Sequence, residues 1–119
     1  MTLTLSLLKI PVTDLSRATS FYSEALGLEA VFTSVEYGWT QFDGPGPGLA
    51  LYVPGKGGGD RAPGGSLDFH LASDSLDALL ERAAAVAPDA SIHANADGSR
   101  SLEFTDPDGN VVKIMGNDT

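Results

Sequence analysis

The spacing of apolar side chains divides the chain into short strand-like runs and two helical ones. From Leu3 to Val12 apolar residues dominate, broken only by Lys9 and small hydroxyls, and the run reads as a strand. TDLSRATSFYSEALG follows a different period. Leu15, Ala18, Phe21, Tyr22 and Ala25 recur at helical spacing, Thr13 or Asp14 is placed to cap the start, and Gly27 to end it. From Leu28 the pattern is strand-like again through EAVFTSVEYGWTQFDG, GPGPG makes a turn, and LALYV is a further short strand. The plan then repeats. SLDFHLA reads as a strand, DSLDALLERAAAVAP as a capped helix with Leu76, Leu79, Leu80 and Ala83 on one face, and ASIHA, SRSLEFT and NVVKIM as three strands.

Between the halves lies PGKGGGDRAPGG, residues 54–65, almost wholly Gly, Pro and charges. Such a segment buries too little to offset its ordering entropy, which predicts a linker or a mobile loop, either a tether or a lid. The halves also echo each other at the level of residues. Phe42-Asp43-Gly44-Pro45 before LALY matches Phe104-Thr105-Asp106-Pro107 before VVKI, and Asp14-Leu15 parallels Asp74 and Leu76. The fold predicted is α+β: two tandem βαβββ modules forming a curved, partly open mixed β-sheet barrel around a concave pocket. Module one is 1–53, the linker 54–65 and module two 66–119, within a single domain. A ferredoxin-like sandwich needs fewer strands after each helix.

Composition narrows the function classes. A chain of 119 residues is long enough for a core without staples, and it has no cysteine, which removes disulfides, thiolate metal sites and a cysteine nucleophile. That suits a reducing, cytoplasmic setting. MTLTLSLLKI lacks a basic start and a small-residue cleavage site, so it reads as a strand and not a signal peptide. Sixteen acidic against seven basic residues give a net charge of −9. No nucleic-acid or membrane partner is expected of such a surface, which repels phosphate and favours cationic small molecules or basic partners. The same charge also serves solubility alone.

Two stretches carry a family resemblance over nearly the whole chain. TDLSRATSFYSEALGLE resembles the first-helix signature of the vicinal oxygen chelate superfamily, and FTDPDGNVVKI resembles its second-half hallmark, F-x-D-P-D-G-N-x-[IV]-E-[LI]. That superfamily includes glyoxalase I, extradiol dioxygenases, and fosfomycin- and bleomycin-resistance proteins. The resemblance implies the duplicated βαβββ fold and a homodimer, but the fold hosts many chemistries. In metal-dependent members four inward side chains hold a divalent ion. Carried over, they fall on Leu7, near Ala50, on Asp68 and on Lys113, the last in place of a glutamate. Leucine and alanine cannot ligate, and an ammonium repels a cation, so neither metal nor other cofactor is expected.

Strand alternation supplies the remaining candidates. It turns Leu7, Lys9 and Pro11 towards the pocket on the first strand, Asp68 and His70 on the fifth, and Lys113 on the last. Asp68 and Lys113 are expected to form an ion pair across the former metal position, unless Lys113 reaches water at a rim. His70 is the candidate catalytic acid or base, or else a hydrogen-bonded lining residue. His93 is expected to be merely exposed. Tyr37, Trp39 and Gln41 fall on one face of one strand, with Tyr52 ending LALYV, and form an aromatic wall suited to a small molecule. Against this, Trp39 is equally suited to a core or a dimer interface.

Three readings follow. The first is a metal-independent small-molecule binding protein resembling the bleomycin-resistance branch, holding a cationic or aromatic ligand. The second is a glyoxalase-like lyase or isomerase using His70 and Asp68, with or without a metal site rebuilt with Glu103. The third is an interaction module that kept the fold and lost the chemistry.

Overall fold

The computed structural model describes residues 2–43, 48–65 and 67–116. Strand β1 is Leu7–Pro11, helix α1 Leu15–Leu26, then β2 Ala30–Ser34, β3 Trp39–Phe42 and β4 Gly48–Tyr52. The second module repeats the order with β5 His70–Ser73, α2 Leu76–Ala84, β6 Ser91–Ala94, β7 Arg100–Thr105 and β8 Val111–Gly116. Each module is a four-stranded mixed sheet, ordered β1-β4-β3-β2 and β5-β8-β7-β6, with a parallel pair at one edge and antiparallel pairs beyond it.

Local chemistry sets the element ends. Asp14 caps α1 by accepting from Arg17 N, and Gly27 closes it at φ 70° with its N–H on Ser23 O. The long run expected after Leu28 is a hairpin, because Gly38 at φ 57° turns the chain between β2 and β3. Tyr37 therefore lies in that turn and not on the strand that carries Trp39 and Gln41. β5 is also shorter than expected: it begins at His70, leaving Asp68 ahead of the strand, while Ser66 lies outside the described residues. The GPGPG turn lies largely outside them too, at Gly44 to Pro47. The strand expected from Leu3 starts only at Leu7; Leu3 and Leu5 are exposed.

One core serves both modules. Phe21 and Tyr22 of α1 stack edge-on with ring centroids 5.4 Å apart, and Phe21 reaches Phe104 of β7 at 5.9 Å. Ile10, Leu51, Leu102 and Ile114 pack around them, all essentially buried. The two helices pack against each other, and among the described residues no strand of one sheet pairs with a strand of the other. The sheets are thus open, joined through their helix-bearing sides and not closed into a barrel.

The hallmark turn is a structural clasp. Asp106 Oδ1 accepts from the backbone of Asp108 and Asn110 at 2.9 and 2.8 Å, and its Oδ2 accepts from Tyr22 Oη and Asn110 Nδ2, both at 2.8 Å. Asn110 Nδ2 also donates to Pro11 O at the end of β1, 2.9 Å away. Gly109, at φ 87°, lets the turn close. Burial, then the neighbouring Asp106 charge, pushes the Tyr22 phenol far above its ordinary range. The clasp ties α1 and β1 of one module to the β7–β8 turn of the other, which is why the motif marks the fold and not a reaction.

Candidate functional site

Alternation turns Leu8, Ile10, Leu49 and Leu51 towards the helices and puts Lys9, Ala50 and Tyr52 on the opposite, outer face of the first sheet. Trp39 and Gln41 join them from β3. Across this face Lys9 is opposite Ala50, Ala50 opposite Gln41, and Gln41 opposite Phe32. The second sheet repeats the row in the same register: His70 opposite Lys113, Lys113 opposite Glu103, Glu103 opposite Ser91. The duplication thus extends to the outer rows, with His70 in the place of Lys9 and Lys113 in the place of Ala50.

The Gly/Pro segment 54–65 lies over the first row. Lys9 Nζ donates to Gly58 O and sits 5.2 Å from the centroid of the Tyr52 ring. Gly58 is so close that a Cβ there would meet Trp39 Cε3 at 2.9 Å and Tyr52 Cβ at 3.1 Å. Gly59 lies as tightly on the Tyr52 ring. At its far end the segment meets the clasp, where Gly64 and Gly65 N–H groups approach Asn110 Oδ1 at 3.3 and 3.4 Å. Only glycine allows the backbone this approach to two aromatic rings. Tyr52 is buried and Trp39 half-buried beneath this strap, while Tyr37 stays exposed beside it. The tether expected from composition is also a cover.

The second row is open and charged. Lys113 Nζ lies 3.8 Å from Glu103 Oε1, and Glu103 Oε2 lies 3.4 Å from His93 Nε2. His93 also hydrogen-bonds Ser91 Oγ at 3.2 Å. The ion pair expected with Asp68 is replaced by this one: Glu103 lies directly across the ladder from Lys113, whereas Asp68 is exposed and precedes β5. His93 is therefore not an isolated surface residue. The signal for Glu103 was the alternation Leu102/Phe104 in SRSLEFT, which turns both apolar neighbours to the core and Glu103 outward.

The metal implied by the family resemblance does not fit these residues. Leu7 and Ala50 offer no donor, Lys113 is a cation paired with Glu103, and among the described residues no three His, Asp or Glu side chains gather.

A separate cavity of about 600 Å³ opens between the modules on the side that carries the helices. Leu8, Leu28, Leu49, Leu71 and Leu79 line it, with Arg82 of α2 beside them. Of the residues expected to bind a ligand, only His70 reaches this cavity. Lys9, Trp39, Gln41 and Tyr52 share the first outer face, and Lys113 belongs to the second.

Residues 4–114 match the Glyoxalase/Bleomycin resistance protein/Dioxygenase superfamily. Similar solved structures include a lactoylglutathione lyase from Agrobacterium tumefaciens, 23% identical over 94% of this chain and 92% of that one, with a TM-score of 0.77. A superfamily member from Sphaerobacter thermophilus is 23% identical over 98% of each chain, at a TM-score of 0.75. A structure from the mobile metagenome of V. Pseudocholerae is 25% identical over 100% of this chain and 98% of that one, at 0.72. At 23% identity the first two likenesses speak to the fold alone. No curated protein matches the sequence.

Proposed function

The chain belongs to the Glyoxalase/Bleomycin resistance protein/Dioxygenase superfamily, and from that premise we propose that it is a metal-independent small-molecule binding protein. Its site is the outer face of the first sheet, and its ligand an aromatic molecule that stacks on Trp39 and Tyr52 between Lys9 and Gln41. The observation that carries this reading is the strap. A segment of the protein's own backbone already lies on those two rings, held by the Lys9 ammonium, so the face takes a flat group with an acceptor for Lys9. The net charge of −9 adds long-range attraction for a ligand that is cationic overall.

The protein works in this reading as a cytoplasmic homodimer, in which Tyr37 and Phe32, both exposed at the edge of the first outer face, meet the second outer face of a partner copy. His70, Lys113 and, beyond β5, Asp68 then complete the site from the opposite wall. In this reading the chain resembles the bleomycin-resistance members of its superfamily.

The test is a thermal-shift and Trp39-fluorescence screen of aromatic cations on protein stripped with a chelator. Trp39 is the single tryptophan, so its emission reports this face directly. A binder is expected to raise the melting temperature and quench Trp39 equally with and without chelator. Loss of binding in chelator, or binding that leaves Trp39 unmoved, contradicts the reading.

A second reading, lyase or isomerase chemistry with His70 as acid–base, rests on the register that sets His70 beside the Lys113–Glu103 pair. It requires His70→Gln to abolish a turnover that Trp39→Phe only weakens.

A further inference from the structure

The cavity between the modules lies apart from the first outer row and shares only His70 with the second. Its walls are the helix-bearing sides of both sheets, with Leu8 and Leu49 from the first and Leu71 from the second, and α2 forms its rim through Ala78, Leu79 and Arg82. At about 600 Å³ it falls within the range of small-molecule sites, and like them it is lined mostly by apolar side chains, leucines with Phe42 and Phe69, and a few polar groups.

The rim supplies one cation. Arg82 Nε donates to Glu24 O near the C-terminal end of α1 at 3.1 Å, and its guanidinium lies against Gly27, where a Cβ would meet Arg82 Nε at 3.1 Å. That bond uses Nε and leaves the terminal Nη donors of this exposed side chain without a hydrogen-bond partner among the described residues. A guanidinium held at the mouth of an apolar cavity matches an amphipathic acid: the carboxylate accepts two parallel N–H bonds, and the hydrocarbon tail is removed from water. The other polar or titratable side chains in the lining are His70, Asp43, Ser73 and Ser75. The Asp43 carboxylate opposes an anion, and it is the feature that would instead select an amine.

We infer that this inter-module cavity binds a medium-chain or arylalkyl carboxylic acid, tail among the leucines and carboxylate on Arg82. The probes are decanoate, decanol and decylamine, titrated calorimetrically into the full chain. Decanoate is expected to bind saturably and at least tenfold more tightly than decanol, with decylamine weaker still. Arg82→Gln should erase the advantage of acid over alcohol. Ala78→Trp, at an exposed position, should fill the cavity and abolish decanoate binding with the melting temperature kept. Lys9→Met, on the outer face, should leave decanoate affinity unchanged, so this site stands or falls separately from the aromatic one. Absence of decanoate binding, equal affinity for the three probes, or binding that survives Ala78→Trp overturns the inference. Loss of binding in Lys9→Met would also overturn it and move the acid to the outer face. The comparison of acid with alcohol needs only the parent protein, so it holds even if Arg82→Gln folds poorly.

Discussion

Asp106→Ala is expected to lower the unfolding free energy by roughly 3–5 kcal/mol, since two or more buried donors are left unpaired at about 1–3 kcal/mol each. The donors are identifiable. Tyr22 Oη and Asn110 Nδ2 both rely on Asp106 Oδ2, and the backbone of Asn110 relies on Oδ1. Tyr22 and Asn110 are buried, so water cannot readily replace the lost acceptor. Against a typical total of about 5–15 kcal/mol, this is a large share. Urea denaturation followed by far-UV circular dichroism measures it, and the midpoint should fall sharply. Asp108→Ala, which removes a half-exposed side chain whose backbone alone bonds Asp106, should change stability by about 0.5 kcal/mol or less. Equal midpoints for the two variants would mean that the clasp does not hold the modules together.

Gly58→Val should open the first outer face. The added Cβ would stand 2.9 Å from Trp39 Cε3, a separation that side chains do not tolerate, so the strap must lift from Trp39 and Tyr52. Lifting it also breaks the bond from Lys9 to Gly58 O. Because the strap covers the face that the ligand needs, apparent affinity is reduced by the fraction of molecules in which it is open. A charged hydrogen bond at a partly exposed site holds it closed by about 1 kcal/mol, so its loss should tighten ligand binding roughly five- to tenfold. Trp39 emission in the free protein should shift to the red as its ring gains water. Weaker binding in Gly58→Val would show that the strap is part of the ligand's wall and not its cover.

Much of this was legible in the sequence because it depends on local periodicity. Asp14 as a cap and Gly27 as a terminator follow from side-chain and backbone chemistry within one helix. That Lys9, His70 and Lys113 lie on the sheet faces away from the helices follows from alternation alone, but the shared pocket expected there is two separate outer faces, and the duplicated plan brings His70 to the same register as Lys9. What sequence missed depends on contacts between distant segments. Tyr37 left its strand because Gly38 adopts a positive φ that the apolar pattern does not announce. The partner of Lys113 is Glu103, set by ladder register, because the strand expected to carry Asp68 stops short of it. The strap gave no periodic signal, since its role rests on glycines fitting against two rings and on Gly58 meeting Lys9 across 49 positions of chain. The cavity arises only from how the two modules pack, and no single segment encodes it.

Ligand binding by this protein is expected to need no metal. Elemental analysis of protein purified without added metal, followed by titration with Ni, Zn, Mn and Fe(II), tests it most directly. The expected result is no stoichiometric metal and no saturable binding, because Leu7 and Ala50 offer no donor and Lys113 is a cation paired with Glu103. One tightly held ion per chain would contradict it, and would put His70, Asp68 and Glu103 first among the residues to mutate.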